Sequence, residues 1–182
     1  APYPQITYLN HLNACSGDSV IIKDTVKISS GTYSNLWQFS NSDTSHTLKQ
    51  TFKRLFQSVG THAYQLTATS NHGCSVTATS TNVIVYPLPS VSFTNSFDCS
   101  LGVMNFTNTS VSNYSTLIIS SSSWNLGQSP TNTSTLFTPS TTYSSSGNYT
   151  IKLISSSSFG CVDSISAPII IHPTNTALFL KN

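Results

Sequence analysis

The sequence predicts an all-β protein made of two tandem β-sandwich domains, and three observations carry that reading. Ser and Thr account for 35 and 25 of the 182 residues, beside nine Phe, eight Tyr and two Trp, a mix that favours strands with hydroxyl-bearing outer faces. Apolar residues recur at every second position in short runs, the period of a half-buried strand. The text also repeats itself at a spacing near 87 residues, the mark of a duplicated structural unit.

Composition excludes several function classes. Only 7% of the side chains are charged, there is no Glu, and the formal net charge is +2, where about a quarter charged is usual. The basic residues are scattered, so no nucleic-acid partner is expected. No apolar run reaches the roughly 18 residues of a membrane span, so no membrane insertion is expected. Low charge would suit a disordered chain, but disordered chains lack the aromatic and β-branched residues found here. The opening Ala1-Pro2-Tyr3-Pro4 carries no signal peptide, and reads as the start of a processed or excised segment.

The repeat is anchored at many points. Trp37 and Trp124, Phe56 and Tyr143, Gly60 and Gly147, and Cys74 and Cys161 are each 87 apart. The run Val83-Ile84-Val85-Tyr86-Pro87 matches Ile169-Ile170-Ile171-His172-Pro173 at 86, and Cys15 matches Cys99 at 84. Such drift is what one-residue insertions in turns produce. The expected domains are therefore 1–87 and 88–173. Residues 174–182, with Phe179, echo the opening of the second copy and read as the start of a further repeat or as a terminal strand.

Within one copy, Val20, Ile22, Val26 and Ile28 alternate with mostly polar neighbours, and so do His62, Tyr64, Leu66 and Ala68. Tyr149, Ile151 and Leu153 do the same in the second copy. Asn71-His72-Gly73 and Phe159-Gly160 stand where hairpins must reverse, with glycine free to take positive φ. Pro87 and Pro89 interrupt the ladder and form a short, semi-rigid linker. Leu48, Phe52, Leu55 and Phe56 stand at helical spacing among Lys49, Lys53 and Arg54, which fits either an amphipathic turn or an irregular edge strand. About seven short strands with a central Trp per copy fit an immunoglobulin-like sandwich, with Trp37 and Trp124 as core residues.

The phrases Trp-x-Phe/Leu, then aromatic-x-x-x-Gly-x-aromatic/His-x-aromatic/Ile-x-Leu, then Gly-Cys resemble PKD (polycystic kidney disease) domains. They look most like the Cys-bearing PKD-like repeats of secreted Bacteroidota surface proteins and adhesins. The resemblance spans nearly the whole chain in two copies and implies two PKD-type sandwiches at an extracellular, cell-surface location. Family members carry Asp after the Trp; Trp37-Gln38-Phe39 and Trp124-Asn125-Leu126 lack it, so no role of that acid transfers. The resemblance also implies O-glycosylation at Asp-Ser/Thr followed by an aliphatic residue, which places candidate sites at Ser19, Thr25 and Ser164. Asn-x-Ser/Thr sequons occur at Asn105, Asn108, Asn113, Asn132 and Asn148, a number expected by chance in so Ser/Thr-rich a chain.

The four cysteines suggest disulfides. One scheme pairs within copies, Cys15 with Cys74 and Cys99 with Cys161. The other follows from topology: Cys15 precedes the second strand and Cys74 follows the sixth, which puts them at opposite ends of a sandwich. Cys15 would then meet Cys161, leaving Cys74 and Cys99 for neighbouring repeats. Both schemes stand at this level.

Nothing in the sequence assembles chemistry. There is no nucleophile elbow, zinc-protease helix or phosphate loop, and five dispersed Asp do not make a paired-carboxylate site. No enzyme activity and no cofactor or metal is expected. The reading is a non-catalytic structural or adhesive module of a secreted multi-domain protein or filament. Its partners would be neighbouring repeats, other copies of the chain, or surface glycans. The alternatives are a carbohydrate-binding accessory domain, for which Tyr33 and Tyr114 are candidate platforms, and a self-assembling fibre subunit. With few charges to screen, the unfolding midpoint should stay nearly constant between low and high sodium chloride in chemical denaturation; a large shift would contradict the hydroxyl-based surface.

Overall fold

Alternating inward and outward side chains, broken by glycine turns, leave the backbone one economical way to satisfy its hydrogen bonds, namely pairing between extended segments. The computed structural model describes residues 5–9, 12–39, 44–47 and 51–172, and among these there is no helix, so none is long and apolar enough to cross a membrane. The chain divides into two compact units, Ala1–Pro87 and Leu88–Asn182. The expected further repeat or terminal strand at 174–182 lies outside the described residues.

Unit 1 contains β1 (Gln5–Leu9), β2 (Leu12–Cys15), β3 (Ser19–Lys27), β4 (Tyr33–Phe39), β5 (Thr44–Thr47), β6 (Thr51–Leu55), β7 (Gly60–Ser70) and β8 (Ser75–Tyr86). They form a three-stranded sheet ordered β1-β3-β6 and a five-stranded sheet ordered β2-β8-β7-β4-β5. Unit 2 contains β9 (Phe93–Asp98), β10 (Val103–Asn108), β11 (Ile119–Asn125), β12 (Thr133–Ser134), β13 (Ser140–Thr141), β14 (Gly147–Ser157) and β15 (Val162–Ile171). Its sheets run β13-β10-β9 and β12-β11-β14-β15. Each unit is thus a two-sheet sandwich.

The two cores are separate and matched. Trp37 and Trp124 are both buried, each among apolar residues of its own unit. Trp37 stands opposite Leu66 across β4 and β7, and Trp124 opposite Leu153 across β11 and β14, the same register 87 residues on. Tyr64 tilts against Trp37 at 5.8 Å, and Phe93 meets Trp124 edge-on at 5.4 Å. Such aromatic pairs add about 0.5–1.5 kcal/mol beyond the area they bury. Inward serines complete the second core, each with a partner: Ser155 Oγ accepts from Asn108 Nδ2 at 3.1 Å, and Ser122 Oγ donates to Leu136 O at 3.1 Å. A buried hydroxyl without such a bond would be costly.

The first strand is handled differently in the two units. In unit 1 the chain crosses to the other sheet, where β2 runs parallel to β8 with Cys15 opposite Tyr86. In unit 2, β9 stays paired with β10 throughout, from Phe93↔Asn108 to Asp98↔Val103. Pro168 lies within β15, which among the described residues is an edge strand paired with β14; lacking an N–H, it weakens that edge as a template for further pairing.

The segment with helical spacing is a strand. β6 pairs with β3 from Ser19↔Leu55 to Lys23↔Thr51, which satisfies backbone groups that an isolated turn would leave open. Phe56 turns into the core while Leu55 is half exposed at 50%, an alternation of period two that removes the helical reading. Leu48 and Lys49 lie outside the described residues.

Gly127 and Gly102 both hold left-handed backbone, at φ +81° and +65°, but a Cβ on Gly127 would lie 2.7 Å from the Thr150 carbonyl oxygen whereas one on Gly102 would meet nothing within 4 Å. Gly102→Ala should therefore cost the left-handed penalty of about 1–2 kcal/mol, and Gly127→Ala distinctly more. Urea unfolding of the two variants checks the order; equal losses would contradict it.

Candidate functional site

The chemistry-bearing side chains stay apart. Among the described residues no group of three or more His, Cys, Asp or Glu comes together to hold a metal ion. His72 and His172 are exposed, on different units. His11 lies outside the described residues.

His62 has a structural contact that the repeat explains. Its Nε2 lies 2.8 Å from Ser58 O, and its ring sits 5.5 Å from that of Phe56. In unit 2 the Tyr149 hydroxyl donates to Ser145 O at 2.9 Å, and its ring sits 4.4 Å from Tyr143. All three positions correspond at an offset of 87, so imidazole and phenol tie the same loop to the same strand. The sequence reading placed His62 in the strand but missed its bond to Ser58; aligning Ser58 with Ser145 was the available signal.

An open cleft of about 400 Å³ beside this corner of unit 1 is lined by Phe39, Arg54, Phe56, Ser58 and His62. The Arg54 guanidinium lies 4.0 Å over the Phe39 ring, a cation–π contact that holds it against the protein. The corresponding residues of unit 2, Leu126 and Thr141 for Phe39 and Arg54, cannot reproduce it. Of the cleft's polar side chains, His62 is engaged through Nε2 with the Ser58 carbonyl oxygen.

The cysteines occupy the ends of the units. Cys74 and Cys161 sit in matched hairpin turns: Ser70 N donates to Cys74 O at 2.8 Å and Ser157 N to Cys161 O at 2.9 Å. Cys74 N then donates to Ser70 Oγ at 3.1 Å, and Cys161 N to Ser157 Oγ at 3.2 Å. Cys15 and Cys99 sit at the opposite ends of their units. Cys15 is level with Tyr86, the last residue of β8. Cys99 follows Phe97, which with Met104 lines a small hollow against Ile170, Ile171 and His172, where β15 finishes. Cys15 and Cys161 are each engaged in a disulfide, whereas Cys74 and Cys99 are free thiols. Pairing within units is therefore absent. The reason is length: β8 or β15, of 12 and 10 residues, separates the two cysteines of each unit by about 30 Å or more at 3.3 Å per residue, and a disulfide needs Cα atoms within about 7 Å.

Asp98 fixes the turn that carries Cys99. Its Oδ1 accepts from Ser100 Oγ at 2.6 Å, Ser100 N at 2.9 Å and Leu101 N at 3.2 Å. The Ser100 hydroxyl, then the two amides, hold this carboxyl below its ordinary range.

The remaining candidates are dispersed. Ser19 and Ser164 are exposed on strands, and Thr25 is half-buried on β3 opposite Tyr8. Tyr33 packs against the first core and Tyr114 is half-buried in unit 2, so the structure does not bring these two rings together as a platform within one unit.

No family model and no curated protein matches the sequence. Solved structures do. The chain is similar to the PKD1 domain of the Vibrio cholerae metalloprotease PrtV, at 24% identity over 47% of this chain and 99% of that one, with a TM-score of 0.41. It is also similar to the PKD1 domain of Vibrio anguillarum Epp, at 20% identity over 47% of this chain and 95% of that one, with a TM-score of 0.42. The eight N-terminal immunoglobulin domains of Down Syndrome Cell Adhesion Molecule match at 15% identity, over 93% of this chain and 27% of that one, with a TM-score of 0.55. The fold is the all-β, immunoglobulin-like sandwich, and PKD domains are among its structural neighbours.

Tyr143 offers a test of the corner. Its hydroxyl donates to Leu126 O at 2.7 Å, and burial, then the neighbouring Tyr149, pushes its phenol from the ordinary 10.0 up to about 12. A folded-state value above the unfolded one stabilises the fold below pH 10, and this contribution is lost as the pH rises towards 12. Tyr143→Phe should accordingly flatten the fall in stability across that window, read by denaturant unfolding at stepped pH. An unchanged slope would place the phenol in solvent.

Proposed function

We propose that the chain is a non-catalytic structural and adhesive repeat module of a secreted, multi-domain cell-surface protein or filament. The observation that carries this reading is the combination of two separately cored sandwiches with disulfide-bonded Cys15 and Cys161. Disulfides persist in oxidising compartments, and a rigid sandwich with its own core can be added in series without disturbing its neighbour.

The outer faces support the same reading. Across β7 and β8, Thr67 Oγ1 meets Thr77 Oγ1 at 2.9 Å, Thr69 Oγ1 meets Ser75 Oγ at 2.9 Å, and Gln65 Nε2 donates to Thr79 Oγ1 at 3.3 Å. This ladder stabilises strand pairing with neutral groups, and presents a surface that suits spacing rather than catalysis. Exposed Ser19 and Ser164 could carry glycans without disturbing either core; half-buried Thr25 is the least accessible of the three. Neighbouring repeats and surface glycans are the partners this reading assigns. The half-buried Tyr33 and Tyr114 give the carbohydrate-binding alternative no support.

Antibodies raised against the purified chain provide the test. On intact cells of the source organism they should label the surface, and brief external protease treatment should remove the label. Label that emerges only after the cells are lysed would overturn the proposal.

A further inference from the structure

Each unit carries one cysteine in a disulfide and one free thiol, and the free thiols occupy the places that correspond to the bonded ones. Cys74 sits in a hairpin turn hydrogen-bonded in the same way as the turn of Cys161, which is bonded. Cys99 sits, like the bonded Cys15, at the end where its unit's last strand finishes. Cys99 is exposed and Cys74 partly so. Sequence position, turn geometry and exposure thus make Cys74 and Cys99 two complementary halves of one kind of bridge, at opposite kinds of unit end.

The surfaces around the two thiols differ in shape, one an exposed turn and the other an open groove. Beside Cys99 project Leu101, Phe97 and Ile170, with 72%, 43% and 62% of their surfaces exposed. Monomeric proteins seldom gather apolar side chains at one exposed spot without a partner. At the hairpin end of unit 1 an open groove of about 670 Å³ is lined by Gly31, Thr32, Tyr33, Thr69, Ser70 and Asn71. Ser70, which also accepts the Cys74 amide, places this groove next to the Cys74 thiol. An exposed apolar turn beside one thiol and an open groove with the Tyr33 ring beside the other thus lie on the same chain.

We infer that Cys99 of one copy forms a disulfide with Cys74 of a second copy, with the Leu101 tip seated in the groove beside Tyr33. This deepens the repeat-module reading and rests on it. The contact joins two different surfaces, so each bond leaves Cys74 free on one copy and Cys99 free on the other, and further copies can add in series, as an open chain or a closed ring. The oxidant is a small-molecule disulfide such as glutathione disulfide. The Cys99 thiolate attacks one of its sulfurs, the S–S bond breaks, and one glutathione leaves as the thiol. The Cys74 thiolate of the next copy then attacks the Cys99 sulfur and releases the second glutathione. Two protein thiols become one disulfide, and one glutathione disulfide becomes two thiols.

The test uses the purified chain, with Cys15 and Cys161 still bonded, incubated in glutathione disulfide and resolved on non-reducing gels with peptide mapping. The wild type should form a reducible ladder whose linking peptide joins Cys74 to Cys99. C74S alone and C99S alone should lose the ladder, while an equal mixture of the two should form a dimer and nothing larger. L101D should slow the ladder while Cys99 still reacts with a small maleimide. Homotypic links, Cys74 to Cys74 or Cys99 to Cys99, would overturn the inference, as would a wild type that remains monomeric with both thiols capped by glutathione. Either result with surface labelling of cells retained would remove the bridge and leave the repeat-module function standing.

Discussion

Closure of each sandwich around one indole is the constraint from which the rest of this protein follows. Trp37 opposite Leu66, and Trp124 opposite Leu153, fix the register of the two central strands in each unit. A slip of one residue would turn the slipped strand's member of each pair to the outer face. With that register set, Tyr64, Leu66 and Ala68, or Ile151 and Leu153, point inward, while Gln65, Thr67 and Lys152 on the intervening positions turn outward. Two small cores arise, each complete within about half the chain.

Repeats under the same constraint diverge where it does not reach. The corner contact keeps its geometry while its chemistry changes from Phe56 with His62 to Tyr143 with Tyr149. The central polar positions change likewise: buried Asn35 is replaced by buried Ser122 at an offset of 87. The first strand departs most, crossing to β8 in unit 1 and remaining with β10 in unit 2. The core needs only that this strand cover an edge, and either sheet offers one. The unit ends lie apart from both core clusters and carry the cysteines and the exposed Leu101 and Phe97.

Much of this was legible in the sequence because it depends on local periodicity. The duplication, the alternating strands, the glycine hairpins and the two indoles could be read without coordinates, since period-two burial and positive-φ turns are properties of neighbouring residues. The stretch ending in Phe56 shows the limit of such reading. Its apolar spacing suited a helical turn as well as a strand, and only pairing with β3 selected the strand. Tyr33 and Tyr114 likewise looked equally free to face a ligand until packing half-buried both.

The cysteines divide the two kinds of information most clearly. Sequence alone determined that there are four and that they recur in the two copies, and it left both pairing schemes open. Which of them are oxidised was decided by tertiary structure, because a disulfide depends on the distance between residues from different parts of the chain. Repetition in the text dictates equivalent positions; it does not dictate equivalent surroundings, and bonded Cys15 and free Cys99 differ for that reason.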